Sequence, residues 1–193
     1  MSENSKAQLG PAFSIVIPSY NSDETLIELA RRTDAVFKKV LCESYELIIV
    51  DDGSSNTETW RVCELIASQF NAIALRLTRN YGKAGAILCG LNHASGQWVI
   101  TIDDDLQQIP EDIPALAKMR SHDVVVGCIV EKKHGRFIRL TSKIKSYFDR
   151  LILGVPHTMS PMKLIRSEVV TAMLEAHSSR PFIPAMLSDV TSD

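Results

Sequence analysis

Short apolar blocks alternate along the chain with longer segments in which apolar residues recur at helical spacing. The short blocks predict buried strands, and the longer segments predict helices. Strands are predicted over residues 13–17, 45–50, 72–77, 97–102 and 123–130, and helices over 23–40, 57–69, 83–94 and 110–120. This alternation predicts an α/β fold with a mostly parallel sheet flanked by helices.

Residues with strong positional preferences mark several of these boundaries. Ser22 or Asp23 can cap the first helix, and Thr57 can cap the second. Gly96 follows the third helix, and Pro110 suits the first turn of the fourth. These residues agree with the boundaries that the apolar pattern predicts.

The composition is that of a soluble globular protein. The chain has 193 residues, 45% hydrophobic and 23% charged, which is enough for one domain with a sizeable core. Its formal net charge of -2 offers no positive field, so nucleic acid is not expected as a partner. The scattered cysteines form no C-x-x-C pair, which argues against a zinc site and favours buried free thiols in a reducing compartment. They are Cys42, Cys63, Cys89 and Cys128.

The two ends of the sequence give different expectations. Residues 1–11 are polar, lack the apolar core of a signal peptide, and are predicted to form a short disordered lead-in. The sequence contains no apolar run long enough to span a bilayer. It ends without a stop signal at Asp193, which leaves open a continuation into membrane segments.

A cluster of carboxylates follows the fourth predicted strand. Asp103, Asp104 and Asp105 stand where the strand ends, so their oxygens can converge on one hard cation. A solvated acidic turn is the alternative, and the cluster taken alone does not decide between them.

Polar loops follow the other strands as well. In α/β sheets, ligands bind outside the carboxyl ends of the strands, so these loops are expected to meet at one edge. Asp51 and Asp52 can accept hydrogen bonds from a base or ribose, or they can simply cap a turn. Lys83 is the first residue of the third predicted helix, and the free backbone amides at a helix start favour anions. The G-x-G-x-x-G dinucleotide fingerprint and the G-x-x-x-x-G-K-[ST] phosphate loop are both absent.

Four motifs at these strand ends resemble those of family-2 inverting glycosyltransferases, which have the nucleotide-diphospho-sugar transferase (A-type) fold. The motifs are Val16-Ile17-Pro18-Ser19-Tyr20-Asn21, Val50-Asp51-Asp52-Gly53-Ser54-Ser55, Asn80-Tyr81-Gly82-Lys83 and Asp103-Asp104-Asp105-Leu106-Gln107. The resemblance is greatest to the polyprenyl-phosphate branch, such as dolichyl-phosphate mannose synthases and bactoprenol glucosyltransferases. It covers residues 13–130 strongly and 131–193 more loosely.

The resemblance implies a UDP- or GDP-sugar donor, Mg²⁺ or Mn²⁺ as cofactor, and inversion at the anomeric carbon. The residues expected to bind the donor are Pro18, Tyr20, Asn21, Asp51, Asp52, Lys83, Asp103 and Asp104. Asp103, Asp105 and Gln107 are expected to hold the metal, and Asp105 is also the expected catalytic carboxylate. Residues 12–193 would form one catalytic domain, with a donor half over 12–130 and an acceptor half over 131–193.

The segment after the fifth predicted strand is basic and amphipathic. It can lie on an anionic membrane surface or pack on the core with a solvated basic face. Arg136 and Arg139 are the residues expected to contact a lipid phosphate acceptor, at the cytoplasmic face of a membrane. Self-association stays open.

Two departures from the family pattern concern the acceptor half. Gly127-Cys128-Ile129 stands where relatives commonly carry Gly-Ser-Arg, and Pro161 and Met162 alter a segment usually written Ser-Ser-Phe-Arg/Lys-Leu. The Q-x-x-R-W motif of processive polysaccharide synthases is absent. A glycan acceptor and a non-catalytic nucleotide-sugar-binding module are therefore kept as alternatives to a lipid phosphate transferase.

Overall fold

The computed structural model describes residues 10–128 and 159–175, together with Ile183 and Met186. The described strands are β1 (Phe13–Ser19), β2 (Tyr45–Asp51), β3 (Ala72–Arg76), β4 (Trp98–Thr101), β5 (Val124–Cys128) and β6 (Met159–Arg166). The described α-helices are α1 (Glu24–Val36), α2 (Thr57–Gln69), α3 (Lys83–His93), α4 (Ile113–Ala117) and α5 (Ser167–Glu175). The basic segment with Arg136 and Arg139 lies outside the described residues.

The strands form one sheet in the order β3-β2-β1-β4-β6-β5. Strands β1 to β4 pair in parallel, whereas β6 runs antiparallel between β4 and β5. The prediction of a mostly parallel sheet is confirmed, and β6 is an element that the apolar pattern missed. Pro161 and Lys163 interrupt the apolar run of β6, so the segment does not read as a buried strand.

Two apolar layers cover the sheet, one on each face. Ile15, Ile17 and Ile49 pack in the layer under α1 and α2, whereas Val16 and Val50 pack in the layer under α3 and α5. Side chains of a strand alternate between its faces, so central strands buried on both sides read as continuous apolar runs. This alternation also sends consecutive residues at each strand end towards opposite layers.

The helix boundaries follow the predicted ones, with local corrections. Asp23 caps α1, since its carboxylate accepts a hydrogen bond from the Glu24 amide at 2.7 Å. Thr57 was expected to cap α2, but Asn56 does so and accepts from the Glu58 amide at 2.9 Å. Both types are good caps, so sequence alone does not fix which of two neighbours takes the position.

Other elements differ in length from their predicted ranges. Helix α1 ends at Val36, and a π-helical turn over Phe37–Leu41 follows it directly. The short helix expected over 110–120 is a 3₁₀ turn at Pro110–Asp112 followed by α4. None of the described helices has the length and apolar composition needed to cross a bilayer.

The three cysteine side chains that the structure describes differ in burial. Cys63 is buried in α2 and Cys89 is half-buried, but Cys42 is exposed, which corrects the expectation of burial. Cys42 adopts the left-handed conformation (φ +53°) directly after the π-helical turn, where the chain leaves the core.

Candidate functional site

A cleft of about 340 Å³ opens at the carboxyl ends of β1, β2 and β4, beside the start of α3. The predicted meeting of polar loops at this edge is therefore confirmed. The cleft is lined by Pro18, Ser19, Tyr20, Asp52, Asn80, Gly82, Lys83, Ala86, Asp103, Asp104 and Asp105.

The loop after β1 contributes Tyr20 to the cleft, and Asn21 of the same loop binds the loop that follows β2. Tyr20 is 46% exposed and lies on the cleft wall. Asn21 does not line the cleft; its backbone amide donates to Ser54 Oγ at 2.8 Å. Its side-chain oxygen accepts from the Asn56 amide at 3.1 Å and from Ser55 Oγ at 3.3 Å. The structure thus gives Asn21 a loop-joining role, whereas its expected contact with nucleotide stays a prediction.

The two carboxylates after β2 have different surroundings. Asp51 is fully buried, and its Oδ1 accepts from the Ser54 amide at 2.9 Å while Oδ2 lies 3.2 Å from Arg76 Nε. Asp52 lines the cleft, and its Oδ1 accepts from the Tyr81 amide at 2.7 Å. Asp51 therefore forms the capping turn and Asp52 is the one of the pair that lines the cleft, while their expected contacts with a donor stay predictions.

Gly53 lets this turn approach the loop after β3. Its φ is +65°, and a Cβ built there would lie 2.4 Å from the carbonyl carbon of Arg79. Only glycine combines that backbone conformation with so close a backbone neighbour. The contact fixes Asp52 against the Tyr81 amide.

An ion pair crosses the cleft between α3 and the acidic cluster. Lys83 Nζ lies 2.5 Å from Asp103 Oδ2, and the lysine side chain is half-exposed whereas that of Asp103 is 14% exposed. Lys83 is the first residue of α3, preceded by Gly82 with φ +83°. The Lys83 ammonium therefore lies at the start of α3, where the helix dipole also favours an anion. The ammonium and the dipole both attract negative charge to this point.

The acidic cluster is a tight turn whose backbone is fixed from several sides. Asp105 Oδ1 accepts from the Gln107 amide at 2.9 Å, and Leu106 between them has φ +57°. Gln107 is exposed and does not line the cleft, whereas the buried Gln108 accepts from the Asp103 amide through Oε1 at 3.4 Å. The expected role of Gln107 as a metal ligand stays a prediction.

The ligand chemistry of this turn fits a hard divalent cation. Asp103, Asp104 and Asp105 all present carboxylates to the cleft, and Asp104 Oδ2 is buried with no hydrogen-bond partner among the described residues. No three His, Cys, Asp or Glu side chains enclose a metal in the part of the chain that the structure describes. Such a donor set suits Mg²⁺, which commonly takes one or two carboxylates and completes its shell with water and substrate phosphates.

Sequence reasoning missed Lys163 of β6. Lys163 is 8% exposed. It is paired with Thr101, the last residue of β4, in the antiparallel ladder between β4 and β6. Burial lowers the pKa of the Lys163 ammonium, Lys83 lowers it further, and Asp103 raises it. The signal in the sequence was the place of Lys163 at the Arg/Lys position of the segment that resembles Ser-Ser-Phe-Arg/Lys-Leu, between the apolar Met162 and Leu164.

The turn is also anchored to α1. Arg32 binds Glu111 through two hydrogen bonds, with Nε at 2.9 Å from Oε1 and Nη2 at 2.5 Å from Oε2. Arg32 lowers the pKa of the Glu111 carboxyl, as expected for a paired carboxylate. The segment after the acidic cluster is thereby tied to a helix on the opposite layer from α3.

The chain was compared with curated proteins. It is 36% identical over 182 residues to undecaprenyl-phosphate 4-deoxy-4-formamido-L-arabinose transferase of Klebsiella pneumoniae, covering 90% of this chain and 54% of that protein. It is 37% identical over 182 residues to the protein of the same name from Yersinia pestis, with the same coverage. The chain spans about half the length of these curated relatives.

Solved structures agree on the fold. Glucosyl-3-phosphoglycerate synthase from Mycobacterium tuberculosis, in complex with Mn²⁺, UDP-glucose and phosphoglyceric acid, matches with a TM-score of 0.60 and 20% identity. That match covers 84% of this chain and 59% of the other. A mannosyltransferase from Pyrobaculum calidifontis in complex with GDP-mannose and Mn²⁺ matches with a TM-score of 0.57 and 16% identity, over 83% and 46% of the two chains. The A-type glycosyltransferase fold expected from the sequence is therefore confirmed.

The family model of glycosyl transferase family 2 matches residues 14–173. This range contains all the described strands except the first residue of β1. The match spans most of the chain and includes all the cleft-lining residues. The protein belongs to glycosyl transferase family 2.

Proposed function

We propose that this domain transfers a sugar from a UDP- or GDP-sugar to a polyprenyl phosphate, with inversion and with Mg²⁺ or Mn²⁺ as cofactor. The observation that carries the proposal is the cleft in which Lys83 faces Asp103 beside Asp104 and Asp105. Such a site offers both a positive group for phosphate and oxygen ligands for a cation. Its presence in a family 2 domain related to undecaprenyl-phosphate sugar transferases supports the lipid acceptor.

In this proposal the described residues bind the sugar donor. Asp52 and Tyr20 contact the nucleoside, and Lys83 approaches the diphosphate. Asp103 and Asp105 would hold the divalent cation, with Gln107 as a further ligand. When bound, such a cation neutralises the charge that grows on the departing diphosphate.

A lipid phosphate acceptor would not require a general base in the site. A sugar hydroxyl must lose a proton as it attacks, which requires a positioned base. A lipid phosphate is already anionic and needs only cations to place it on the face opposite the leaving group. Arg136 and Arg139 are proposed for that task. In this proposal residues 131–193 form the acceptor half of the domain, and residues 12–130 form the donor half. The reaction would take place at the cytoplasmic face of a membrane.

The test is a transfer assay with the full chain. Undecaprenyl phosphate in detergent is incubated with radiolabelled UDP- and GDP-sugars, with Mn²⁺ or with EDTA, and lipid-linked label is extracted. Label that appears with one donor and disappears with EDTA and with Asp105→Ala supports the proposal. Label transferred only to added oligosaccharide would instead establish a glycan acceptor. Binding of a nucleotide sugar without transfer to either acceptor would establish a binding module.

A further inference from the structure

We propose that Lys163 is a positioning residue of the donor site, whose buried positive charge works with Lys83 to hold the donor diphosphate. The inference rests on the proposed function, because it requires that a nucleotide diphosphate enters the cleft. Lys163 stands at the Arg/Lys position of the family segment Ser-Ser-Phe-Arg/Lys-Leu, to which the resemblance above assigns no role.

The strand pairing places Lys163 on the cleft side of the sheet. Lys163 is paired with Thr101 in the antiparallel ladder between β4 and β6, and paired residues project from the same face. Val99 and Ile165, the next pair on that face, belong to the apolar layer under α3 and α5. Asp103 follows Thr101 by two residues, and Lys83 begins α3 on the same side. The three charged groups therefore share one face at the end of β4.

The charges of this group depend on each other. Asp103 attracts the Lys163 ammonium and Lys83 repels it, while Lys83 itself lies 2.5 Å from Asp103. A buried ammonium is costly unless negative charge stands nearby, and Lys163 is 8% exposed. The Asp103 carboxylate thus attracts both ammonium groups.

Binding of a divalent cation at Asp103 changes that balance. The cation takes up charge of the carboxylate and is itself repelled by both lysines. A diphosphate restores the balance, since its negative oxygens attract the cation and both ammonium groups. Lys163 should therefore oppose a cation that binds alone and favour a cation that arrives with a diphosphate.

This reasoning gives two effects of opposite sign for Lys163→Met, which removes the charge but keeps much of the apolar stem. Mn²⁺ alone should bind about tenfold more tightly, and nucleoside diphosphate with Mn²⁺ should bind about tenfold more weakly. The matching nucleoside, which has no phosphate, should bind equally to both proteins. UDP and GDP are titrated by calorimetry, and uridine or guanosine by nuclear magnetic resonance.

Arg166→Met is the matched control. Arg166 lies on the same strand and loses the same charge, but it pairs with Trp98 at the opposite end of β4 and bonds to Asp123. It should leave Mn²⁺ and diphosphate affinities unchanged. Lys163→Arg retains the charge and should keep the diphosphate affinity, which separates charge from packing if Lys163→Met is poorly folded.

Several outcomes would overturn the inference. Unchanged affinities in Lys163→Met, or equal losses for nucleoside and diphosphate, would show that Lys163 is only structural. A loss confined to undecaprenyl phosphate would place the charge at the acceptor and not at the donor. Wild-type protein that binds neither UDP nor GDP would instead contradict the proposed function, so the two failures are distinguishable.

Discussion

Replacing Asn21 tests whether this residue joins loops or contacts the nucleotide. It has φ +53°, a conformation that asparagine tolerates and alanine does not. Its side-chain oxygen accepts from the Asn56 amide and from Ser55 Oγ. Asn21→Ala loses both features, whereas Asn21→Gly loses the hydrogen bonds but keeps the backbone conformation. Asn21→Asp keeps both the acceptor oxygen and the conformation.

The magnitudes follow from these differences. The left-handed conformation costs alanine about 1–2 kcal/mol, and each lost hydrogen bond costs about 0.5–1.5 kcal/mol net. Because the two bonds are exposed, their lower values apply, and Asn21→Ala should lose roughly 2–3 kcal/mol of unfolding free energy. Asn21→Gly should lose roughly 1–2 kcal/mol, which includes the added entropy of its unfolded chain. Asn21→Asp should remain close to wild type.

Urea denaturation gives the free energies, and calorimetry with UDP and GDP in Mn²⁺ gives the affinities. The loop-joining role predicts that Asn21→Asp retains both stability and nucleotide affinity. If Asn21→Asp kept its stability but bound nucleotide about tenfold more weakly, the side chain would contact the ligand and the reasoning here would be refuted.

Three further predictions concern the metal site, the turn after β2 and the thiols. Asp105→Ala should abolish the advantage of Mn²⁺ over EDTA in nucleotide titrations and lower the unfolding free energy by only about 0.5 kcal/mol, because the hydrogen bond that it loses to the Gln107 amide is exposed; a retained advantage would exclude it as a ligand. Gly53→Ala should lose about 2–5 kcal/mol of unfolding free energy, since its Cβ would meet the Arg79 backbone at a strained φ; a wild-type urea midpoint would contradict this. Iodoacetamide at neutral pH should label Cys42 in the folded protein and spare Cys63, as peptide mass mapping can check. Burial raises the pKa of Cys63 to about 12, so its contribution to stability is present below the ordinary thiol pKa and is lost as pH rises through about 12.

The parts of the fold that the sequence predicted are those set by local patterns. Buried strands of a parallel sheet are continuous apolar runs, so β1, β2 and β4 were recognisable with small errors at their ends. Strand β6 was missed because Pro161 and Lys163 break its pattern, and its place in the sheet depends on pairing with β4 and β5.

The candidate site was predictable to a similar degree. The carboxylates were found because they follow strands, and strand ends meet at one edge. Which of two adjacent residues lines the cleft depends on three-dimensional contacts, as with the buried Asp51 and the cleft-lining Asp52. Lys163 was missed because its segment departs from the family pattern at Pro161 and Met162, and its place beside the cleft depends on the pairing of β6 with β4.

The alternation of side chains along a strand explains why this site contains adjacent carboxylates. Asp51 and Asp52 follow each other at the end of β2, so the first faces the layer of α2 and the second faces α3. The contacts agree, since Asp51 binds the turn at Ser54 while Asp52 accepts from Tyr81.

The same alternation applies after β4. Asp103 reaches Lys83 of α3, whereas Asp104 acts electrostatically on Cys63 of α2, on the other side of the sheet. Asp52 and Asp103 are thus available to the α3 side of the cleft, where Lys83 begins the helix. Of the neighbouring carboxylates, Asp51 holds its loop through the Ser54 amide, whereas Asp104 also lines the cleft. At the end of β2 the two adjacent acidic residues therefore differ, since Asp51 holds the turn and Asp52 lines the cleft, and a substitution that treats them as equivalent will confuse binding with stability.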